Sequence, residues 1–210
     1  MGKYNLVTDA GKASMNGDLC WNELATGIDS ILRVPEIAAS IDREHLQQTP
    51  ERVTKMMREE FFSGCFHDPK SVLSRTFKSK EDEMVYVNDI HFVSFCAHHL
   101  VPFVGKVHFA YIPNGRIVGL SKIPRLIEIL AHRPQVQEKL TGEIVDNFQE
   151  VLKPKGCGVV IEAVHFCMMI RGVKKETAYT KTNALRGCFK NAATRYEFLD
   201  GVKHGGTIWP

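Results

Sequence analysis

Residues 85–96, VYVNDIHFVSFC, and residues 103–112, FVGKVHFAYI, are the two runs of the chain that most strongly favour β-structure. Both are rich in β-branched and aromatic residues, and in the second run large apolar side chains alternate through Val107, Phe109 and Tyr111. β-Branched and aromatic residues suit the pleated surface of a sheet. The sequence therefore predicts two strands in the middle of the chain.

Helical and strand patterns follow one another on either side of these strands. Before them, apolar residues recur at helical spacing from Leu24 to Leu32, and a second helix is expected from an N-cap at Thr49, with Pro50 at its first position, to Gly64. After them the patterns predict a turn at 113–115, a strand at 117–120, a helix capped by Ser121, a helix at 135–152, strands at 159–170 and 177–185, and a helix at 191–199. This order indicates an α+β fold with an antiparallel sheet.

Two short segments carry side chains that can bind metals or transfer protons, Cys96-Ala97-His98-His99 and His165-Phe166-Cys167. Zinc prefers cysteine sulfur and histidine nitrogen, and a catalytic zinc keeps three protein ligands. Cys96, His99 and Cys167 would make such a set, leaving His98 and His165 as acid or base groups. Cysteines and histidines on apolar strands are also common in ordinary cores. Taken alone, the pattern fits a metal site and a core equally well.

Composition excludes several classes of protein. The 210 residues are 44% hydrophobic and 24% charged, as in an ordinary globular chain, and the net charge of +3 comes without a dense basic patch. No nucleic-acid partner is therefore expected. The start of the chain lacks an apolar signal region, Leu6 breaks the myristoylation pattern, and no run reaches the length of a membrane span. We expect a cytoplasmic protein without membrane attachment, and we expect no disulfide framework among its six cysteines.

Several segments, in the same order along the chain, resemble type I GTP cyclohydrolase, a zinc enzyme family. The resemblance runs from Thr49 to Leu199. The matching segments are Thr49–Arg52, Cys96–His99, Gly119–Lys122, Arg133–Glu138, His165–Cys167 with Arg171–Gly172, and Arg195–Leu199. Because so many independent segments match, the resemblance favours the metal interpretation over the core.

The resemblance implies a role for each candidate residue. Cys96, His99 and Cys167 match the zinc ligands, and His98 and His165 match the catalytic histidines. The implied substrate-binding residues are Gln137 and Glu138 for guanine, and Ser121, Lys122, Arg125, Arg171 and Arg52 for the ribose and triphosphate. A carboxylate can accept hydrogen bonds from the guanine ring N–H and exocyclic amine together, and arginine pairs bidentately with phosphate.

The resemblance also implies the fold, the assembly and the reaction. It implies a tunnelling fold, for which we expect an antiparallel sheet with helices on one face. The residue pattern predicts a flexible arm over residues 1–18 and an N-terminal helical segment over 19–64, before a catalytic domain over 65–210. The family assembles into a toroidal homodecamer with active sites between subunits. Its members open the imidazole ring of GTP, release formate and form 7,8-dihydroneopterin triphosphate by an Amadori-type rearrangement, without a nicotinamide or flavin. That product can feed folate, tetrahydrobiopterin or 7-deazaguanine synthesis.

This chain departs from the family pattern next to the first zinc ligand. Ala97 stands where relatives usually carry glutamate, and Ala178 and Asn183 stand where relatives often carry serine or threonine. Loss of a carboxylate beside the metal should alter the orientation of the ligands or the local proton affinity. Two alternatives remain open at this point: a relative that stops at the ring-opened formamidopyrimidine, and a non-catalytic zinc- or nucleotide-binding assembly protein.

Overall fold

The computed structural model describes residues 13–202, with side chains from Gly17 onward. Eight α-helices and seven strands lie within that range. The helices are α1 Ala13–Leu32, α2 Pro35–Ala38, α3 Arg43–Leu46, α4 Thr49–Met56, α5 Lys122–Ala131, α6 Gln137–Leu152, α7 Phe166–Met169 and α8 Ala192–Val202. The strands are β1 Thr76–Lys78, β2 Val85–Cys96, β3 Pro102–Ile112, β4 Arg116–Val118, β5 Pro134–Gln135, β6 Gly156–His165 and β7 Thr180–Gly187. No helix within residues 13–202 is both long and apolar enough to span a bilayer.

The chain forms two compact units, with the boundary between Glu60 and Phe61. The first contains α1 to α4, and in it α1 packs against α4. A single π-helical turn, Met57–Phe61, crosses the boundary. In the second unit the ring of Phe61 packs on that of Phe95, with their centroids 4.2 Å apart.

The second unit is built on a five-stranded sheet with the strand order β5-β2-β3-β6-β7. Strands β2, β3, β6 and β7 pair antiparallel, as the sequence predicts. The two residues of β5 pair parallel with the end of β2, opposite Phe95 and Cys96. A separate antiparallel pair joins β1 and β4.

Side chains alternate between the two faces of the sheet along each strand, and the main core lies on one of these faces. Phe109 and Tyr111 of β3 are buried on this face and pack edge-on or tilted against Phe148 of α6, with ring centroids 4.7 and 5.0 Å away. Apolar residues of α5 and α6 complete the cluster at helical spacing. Burial of apolar surface of this extent is the main favourable contribution to folding.

The opposite face carries a second, smaller cluster under α8. Ala110 and Val160 lie on this face and pack with Phe198 and Val202. The sequence prediction of helices on one face therefore holds for α5 and α6 but not for α8. The difference follows from the period of a strand, because Ala110 points away from its neighbours Phe109 and Tyr111 and needs its own apolar cover.

The start of the chain corrects two predicted boundaries. Residues 1–12 of the predicted arm lie outside the described residues, but 13–18 belong to α1, which extends beyond the apolar periodicity used to predict it. Gln48, in the left-handed region, occupies the N-cap position of α4, and Thr49 is its first residue. The Thr49 hydroxyl accepts a hydrogen bond from Arg52 at 3.2 Å and makes no cap.

Two elements near the C-terminal half also differ from prediction. The strand predicted over 159–170 ends at His165, because its last partner is Phe103, at the beginning of β3. Cys167 therefore lies on the short helix α7 and not in a strand. Similarly, the helix predicted from residue 135 begins at Gln137, because Pro134 and Gln135 pair with β2.

Gly105 and Gly142 offer a matched pair of glycine-to-alanine tests. A Cβ at Gly105 would lie 1.9 Å from the Glu162 carbonyl oxygen, so β3 and β6 would have to separate. At Gly142, inside α6, a Cβ would meet no atom within 4 Å. We expect Gly105→Ala to lower the free energy of unfolding by about 2 kcal/mol. Gly142→Ala should raise it by about 1 kcal/mol, because alanine favours helix over glycine.

Thermal denaturation of the two variants measures these changes. A lower melting temperature for Gly105→Ala with a higher one for Gly142→Ala is the expected result. Equal melting temperatures for wild type and Gly105→Ala would contradict the close approach of β3 and β6.

Candidate active site

The antiparallel register brings three chain segments to one end of the sheet. Phe95 of β2 pairs with Pro102, and Phe103 pairs with His165, so the end of β2, the beginning of β3 and the end of β6 lie together. Parallel pairing of Cys96 with Gln135 adds the entry to α6. The sheet thus assembles residues that are far apart in sequence.

The turn between β2 and β3 is fixed by backbone hydrogen bonds at Cys96. Its N–H donates to the Val101 carbonyl at 3.0 Å, and its carbonyl accepts from the N–H of Leu100 at 2.8 Å and of His99 at 3.2 Å. The Ala97 N–H donates to the Gln135 carbonyl at 2.9 Å. These bonds hold Cys96 and His99 in a constant relation to α6.

Cys96, His99 and Cys167 form a candidate metal-binding group. One possible ligand atom from each lies within 4.8 Å of the others, and Cys96 Sγ is 3.7 Å from His99 Nδ1. For a tetrahedral zinc with ordinary bond lengths, sulfur and nitrogen ligands are about 3.6 Å apart. The spacing and the chemistry of these side chains therefore fit a metal ion of this kind. Cys96 is buried whereas His99 is exposed, which leaves access from one side.

Electrostatics at the two thiols favour the same interpretation. Burial raises the pKa of Cys167, the adjacent Cys96 raises it further, and Arg171 opposes both effects. Two neighbouring thiols resist ionising together because the second negative charge repels the first. A divalent cation removes this penalty, since it binds both as thiolates.

His98 and His165 lie beside this group. His98 is exposed, and its Nδ1 is 3.7 Å from Cys96 Sγ. His165 is half-buried, and its ring stacks on Phe103 with centroids 4.7 Å apart and planes within 4°. Burial lowers the pKa of His165, and the carboxylate of Glu138 opposes that change. The site therefore combines an accessible imidazole with one that is held in the protein.

A cavity of about 270 Å³ joins these groups. Seven of the residues predicted as ligands, acids, bases or guanine contacts line it: Cys96, His98, His99, Gln137, Glu138, His165 and Cys167. Its other lining residues among those described are Gln135, Val136, Met168 and Thr180. A candidate metal-binding group, two imidazoles and a carboxylate thus share one space.

The residues predicted to bind phosphate do not line this cavity in the described part of the chain. Ser121, Arg125 and Arg171 are exposed, and Lys122 is half-buried at the beginning of α5. Ser121 occupies the N-cap position of α5, but its side chain makes no capping hydrogen bond. Arg52 belongs to the first unit, where its Nη2 donates to the Gln47 carbonyl at 2.9 Å.

Sequence reasoning missed Gln135 as a residue of this site. Its backbone carbonyl holds the Cys96–His99 turn, while its buried side chain donates to the Leu130 carbonyl and to Glu143, each at 3.0 Å. The only signal for it was its place inside the matching segment Arg133–Glu138. A parallel pairing of two residues has no periodicity by which it could be predicted.

The geometry agrees with comparisons to known proteins. The family model of GTP cyclohydrolase I matches residues 25–203. The GTP cyclohydrolase 1 of Campylobacter curvus is 50% identical over 82% of this chain and 90% of its own length. The Bacteroides thetaiotaomicron protein of the same name is 47% identical over 87% and 92%, and that of Bacillus pumilus is 52% identical over 78% and 87%.

Among solved structures, the archaeosine synthase QueF-Like in its apo form aligns with a TM-score of 0.43 at 15% identity, over 51% of this chain and 97% of that one. That score is too low to bear on the fold. The family model and the curated relatives, by contrast, cover most of the chain at high identity. The chain therefore belongs to the GTP cyclohydrolase I family.

Proposed function

We propose that this protein is a GTP cyclohydrolase I, which opens the imidazole ring of guanine in GTP with water, releases formate and forms 7,8-dihydroneopterin triphosphate. One observation carries the proposal: a single cavity joins a Cys₂His group to two further imidazoles and a carboxylate. Hydrolysis of a ring carbon–nitrogen bond requires an activated water, proton transfer and a hold on the base. Membership of the family supports the same reaction.

Cys96, His99 and Cys167 are proposed to hold a zinc ion. Two sulfurs and one nitrogen are a typical ligand set for catalytic zinc, and they leave one tetrahedral position outside the protein. Zinc, when bound, would make water available for attack at neutral pH, because it lowers the pKa of that water to about 7. The ligand-atom spacing within 4.8 Å supports this assignment.

His98 and His165 are proposed to transfer protons during ring opening. A ring nitrogen must gain a proton as its bond to the former ring carbon breaks, and imidazole can both give and accept one. Both residues line the cavity beside the proposed ligands. Their different surroundings, exposed for His98 and half-buried for His165, favour separate roles in the sequence of proton transfers.

Glu138 is proposed to select guanine. It is the second residue of α6, and its exposed side chain lines the cavity. A carboxylate can accept from the ring N–H and the exocyclic amine of guanine together, whereas adenine does not present that pair of donors. Such a contact discriminates strongly because the wrong base would leave the carboxylate unpaired.

The triphosphate site and the oligomer are proposed together. At about 270 Å³ the cavity of one chain is below the roughly 300–1,000 Å³ usual for small-molecule sites. Strand β7 forms one edge of the sheet, and Leu100, Ile170 and Val173 near the site are exposed. Open edges and exposed apolar residues favour assembly. We therefore propose a homodecamer in which a second copy completes each site, with Ser121, Lys122, Arg125, Arg171 and Arg52 binding the ribose and triphosphate.

Assays with GTP and its 2′-deoxy analogue test the proposed reaction. With zinc-loaded protein, GTP should release stoichiometric formate and give a fluorescent pterin after oxidation. The deoxynucleotide should be opened but not rearranged, because the rearrangement uses the 2′-hydroxyl. A ring-opened product that keeps its formyl group, with neither formate nor pterin, would identify an enzyme that stops at the formamidopyrimidine. GTP binding without formate, pterin or any ring-opened product would favour a non-catalytic assembly protein and contradict the proposal.

Serine substitutions test the zinc ligands. Cys96→Ser and Cys167→Ser should each remove stoichiometric zinc and abolish formate release, since loss of a direct ligand costs more than the 10–100-fold in affinity typical of an outer-shell partner. Cys20→Ser, at an exposed cysteine outside the site, is the control and should retain both. Metal analysis by mass spectrometry gives the result. Full zinc occupancy in Cys167→Ser would overturn the ligand assignment.

Ala97→Glu tests the departure from the family pattern. Ala97 is exposed and directly follows a proposed ligand, so a carboxylate there would lie near the metal. We expect zinc content to be unchanged and the pH–rate profile to shift, because a new negative charge alters the proton affinity of its neighbours. Ala97→Gln controls for side-chain size. Superimposable profiles for wild type and Ala97→Glu would show that this position has no such influence.

A further inference from the structure

We infer that Gln137 is a positioning residue for His165. Its side-chain oxygen accepts a hydrogen bond from Nε2–H of the imidazole, and its side-chain NH₂ group donates to groups of the protein interior and not to the purine. The inference rests on the proposed function, since it assigns Gln137 a different part in that site from the guanine contact expected from sequence. It follows from a closed set of hydrogen bonds around one buried side chain.

The orientation of the Gln137 amide is determined by its neighbours. The residue is only 2% exposed and begins α6. Its Nε2 lies 3.2 Å from the Ile161 carbonyl oxygen, 3.1 Å from that of Thr180 and 3.1 Å from Thr182 Oγ1. Backbone carbonyls can only accept hydrogen bonds, so the NH₂ group must face them. The side-chain oxygen of Gln137 must then face the other way, toward His165.

That orientation fixes the hydrogen on the imidazole. Gln137 Oε1 lies 2.7 Å from His165 Nε2 and can only accept. His165 Nε2 must therefore carry a hydrogen and donate it. In a neutral imidazole only one ring nitrogen is protonated, so Nδ1 is left as the ring's proton acceptor. The amide thus sets which nitrogen of His165 is available for chemistry.

Two threonines keep the amide from turning over. Thr141 Oγ1 donates to the Gln137 backbone carbonyl at 2.6 Å, and it lies 2.7 Å from Thr182 Oγ1. Since each hydroxyl has one hydrogen, Thr182 donates to Thr141 and accepts from the Gln137 amide. The bonds form a directed ring in which every donor has an acceptor. Such a network is costly to reverse, because reversal would set carbonyl oxygens against each other.

Stacking on Phe103 limits the remaining motion of the His165 ring. The Phe103 ring is parallel to that of His165 within 4° and limits tilting of the imidazole. The hydrogen bond that His165 donates to Gln137 limits rotation of the imidazole about its side-chain bonds. Gln137 therefore orients His165 from within the protein, and Glu138, its exposed neighbour, is the residue of the pair that can reach a purine. The two residues should consequently affect different kinetic constants.

Kinetics of Gln137→Met and Glu138→Gln test this division. Methionine keeps the length of the side chain and removes both hydrogen-bonding groups. We expect Gln137→Met to lower kcat at least about tenfold with KM for GTP within about twofold, as for a group that acts in the transition state. Glu138→Gln should raise KM. Gln149→Met, the same change farther along α6, is the control and should leave both constants unchanged.

Magic-angle-spinning NMR of the zinc-loaded, ¹⁵N-histidine-labelled protein measures the orientation without reference to activity. At mildly alkaline pH the His165 signals, identified by difference from His165→Asn, should report a protonated Nε2 and an unprotonated Nδ1. In Gln137→Met the tautomers protonated at Nε2 and at Nδ1 should both be present. A wild-type His165 protonated at Nδ1, or an unchanged spectrum in a folded Gln137→Met, would overturn the inference even if the enzyme proved active.

Absence of cyclohydrolase activity in the wild-type protein would count against the proposed function alone, because the NMR measurement does not depend on activity. If Gln137→Met does not fold, the wild-type spectrum still decides which nitrogen carries the hydrogen. A rise in KM with unchanged kcat in Gln137→Met would restore the direct guanine contact and contradict the inference.

Discussion

The register of β3 against its two neighbours is the constraint on which the site depends. The first residues of β3 pair with the end of β2 on one side and the end of β6 on the other. That pairing places Cys96 and His165 at one end of the sheet, with Cys167 on the helix that follows. A shift by one residue would turn every side chain of the strand to the other face, separating the candidate ligands and exposing Phe109 and Tyr111. The same core that stabilises the second unit therefore specifies the geometry of the metal-binding group.

Two glutamines at the entry to α6 connect the sheet to the chemistry. The Gln135 backbone holds the turn that carries Cys96 and His99, and the Gln137 side chain holds His165. Both side chains are buried and bond mainly to protein groups. The NH₂ groups of both and Gln137 Oε1 have hydrogen-bond partners in the protein, whereas Gln135 Oε1 is buried without one among the described residues. Paired networks orient what they contact. The candidate site thus has an interior half that is hydrogen-bonded to the protein and an exposed half with His98, His99 and Glu138.

Much of this architecture could be predicted from the sequence, within physical limits. Strand β2 has the predicted bounds, and β3 begins one residue early, because alternating apolar residues report directly on a half-buried strand. The three predicted ligands do come together as a candidate metal-binding group. The parallel pairing of β5, the helix that carries Cys167 and the second apolar face under α8 were not predicted. Each of these features depends on its tertiary contacts, which cannot be predicted from the local sequence pattern.

The family resemblance assigned roles to residues whose roles the sequence pattern alone left undecided. The structure brings some of these residues together and not others. It groups the ligand, histidine and carboxylate positions in one cavity, while the arginines and Lys122 lie outside it. For Gln137 it shows a set of internal hydrogen bonds, from which we infer a positioning role. The proposed chemistry of the site depends on a metal ion held by Cys96, His99 and Cys167 with one position left open.

X-ray absorption spectroscopy at the zinc edge of the purified protein tests that ligand assignment most directly. If Cys96, His99 and Cys167 bind zinc, each ion should have two sulfur ligands at about 2.3 Å and two nitrogen or oxygen ligands at about 2.0–2.1 Å. Three or four sulfur ligands, or a zinc without sulfur, would contradict the assignment.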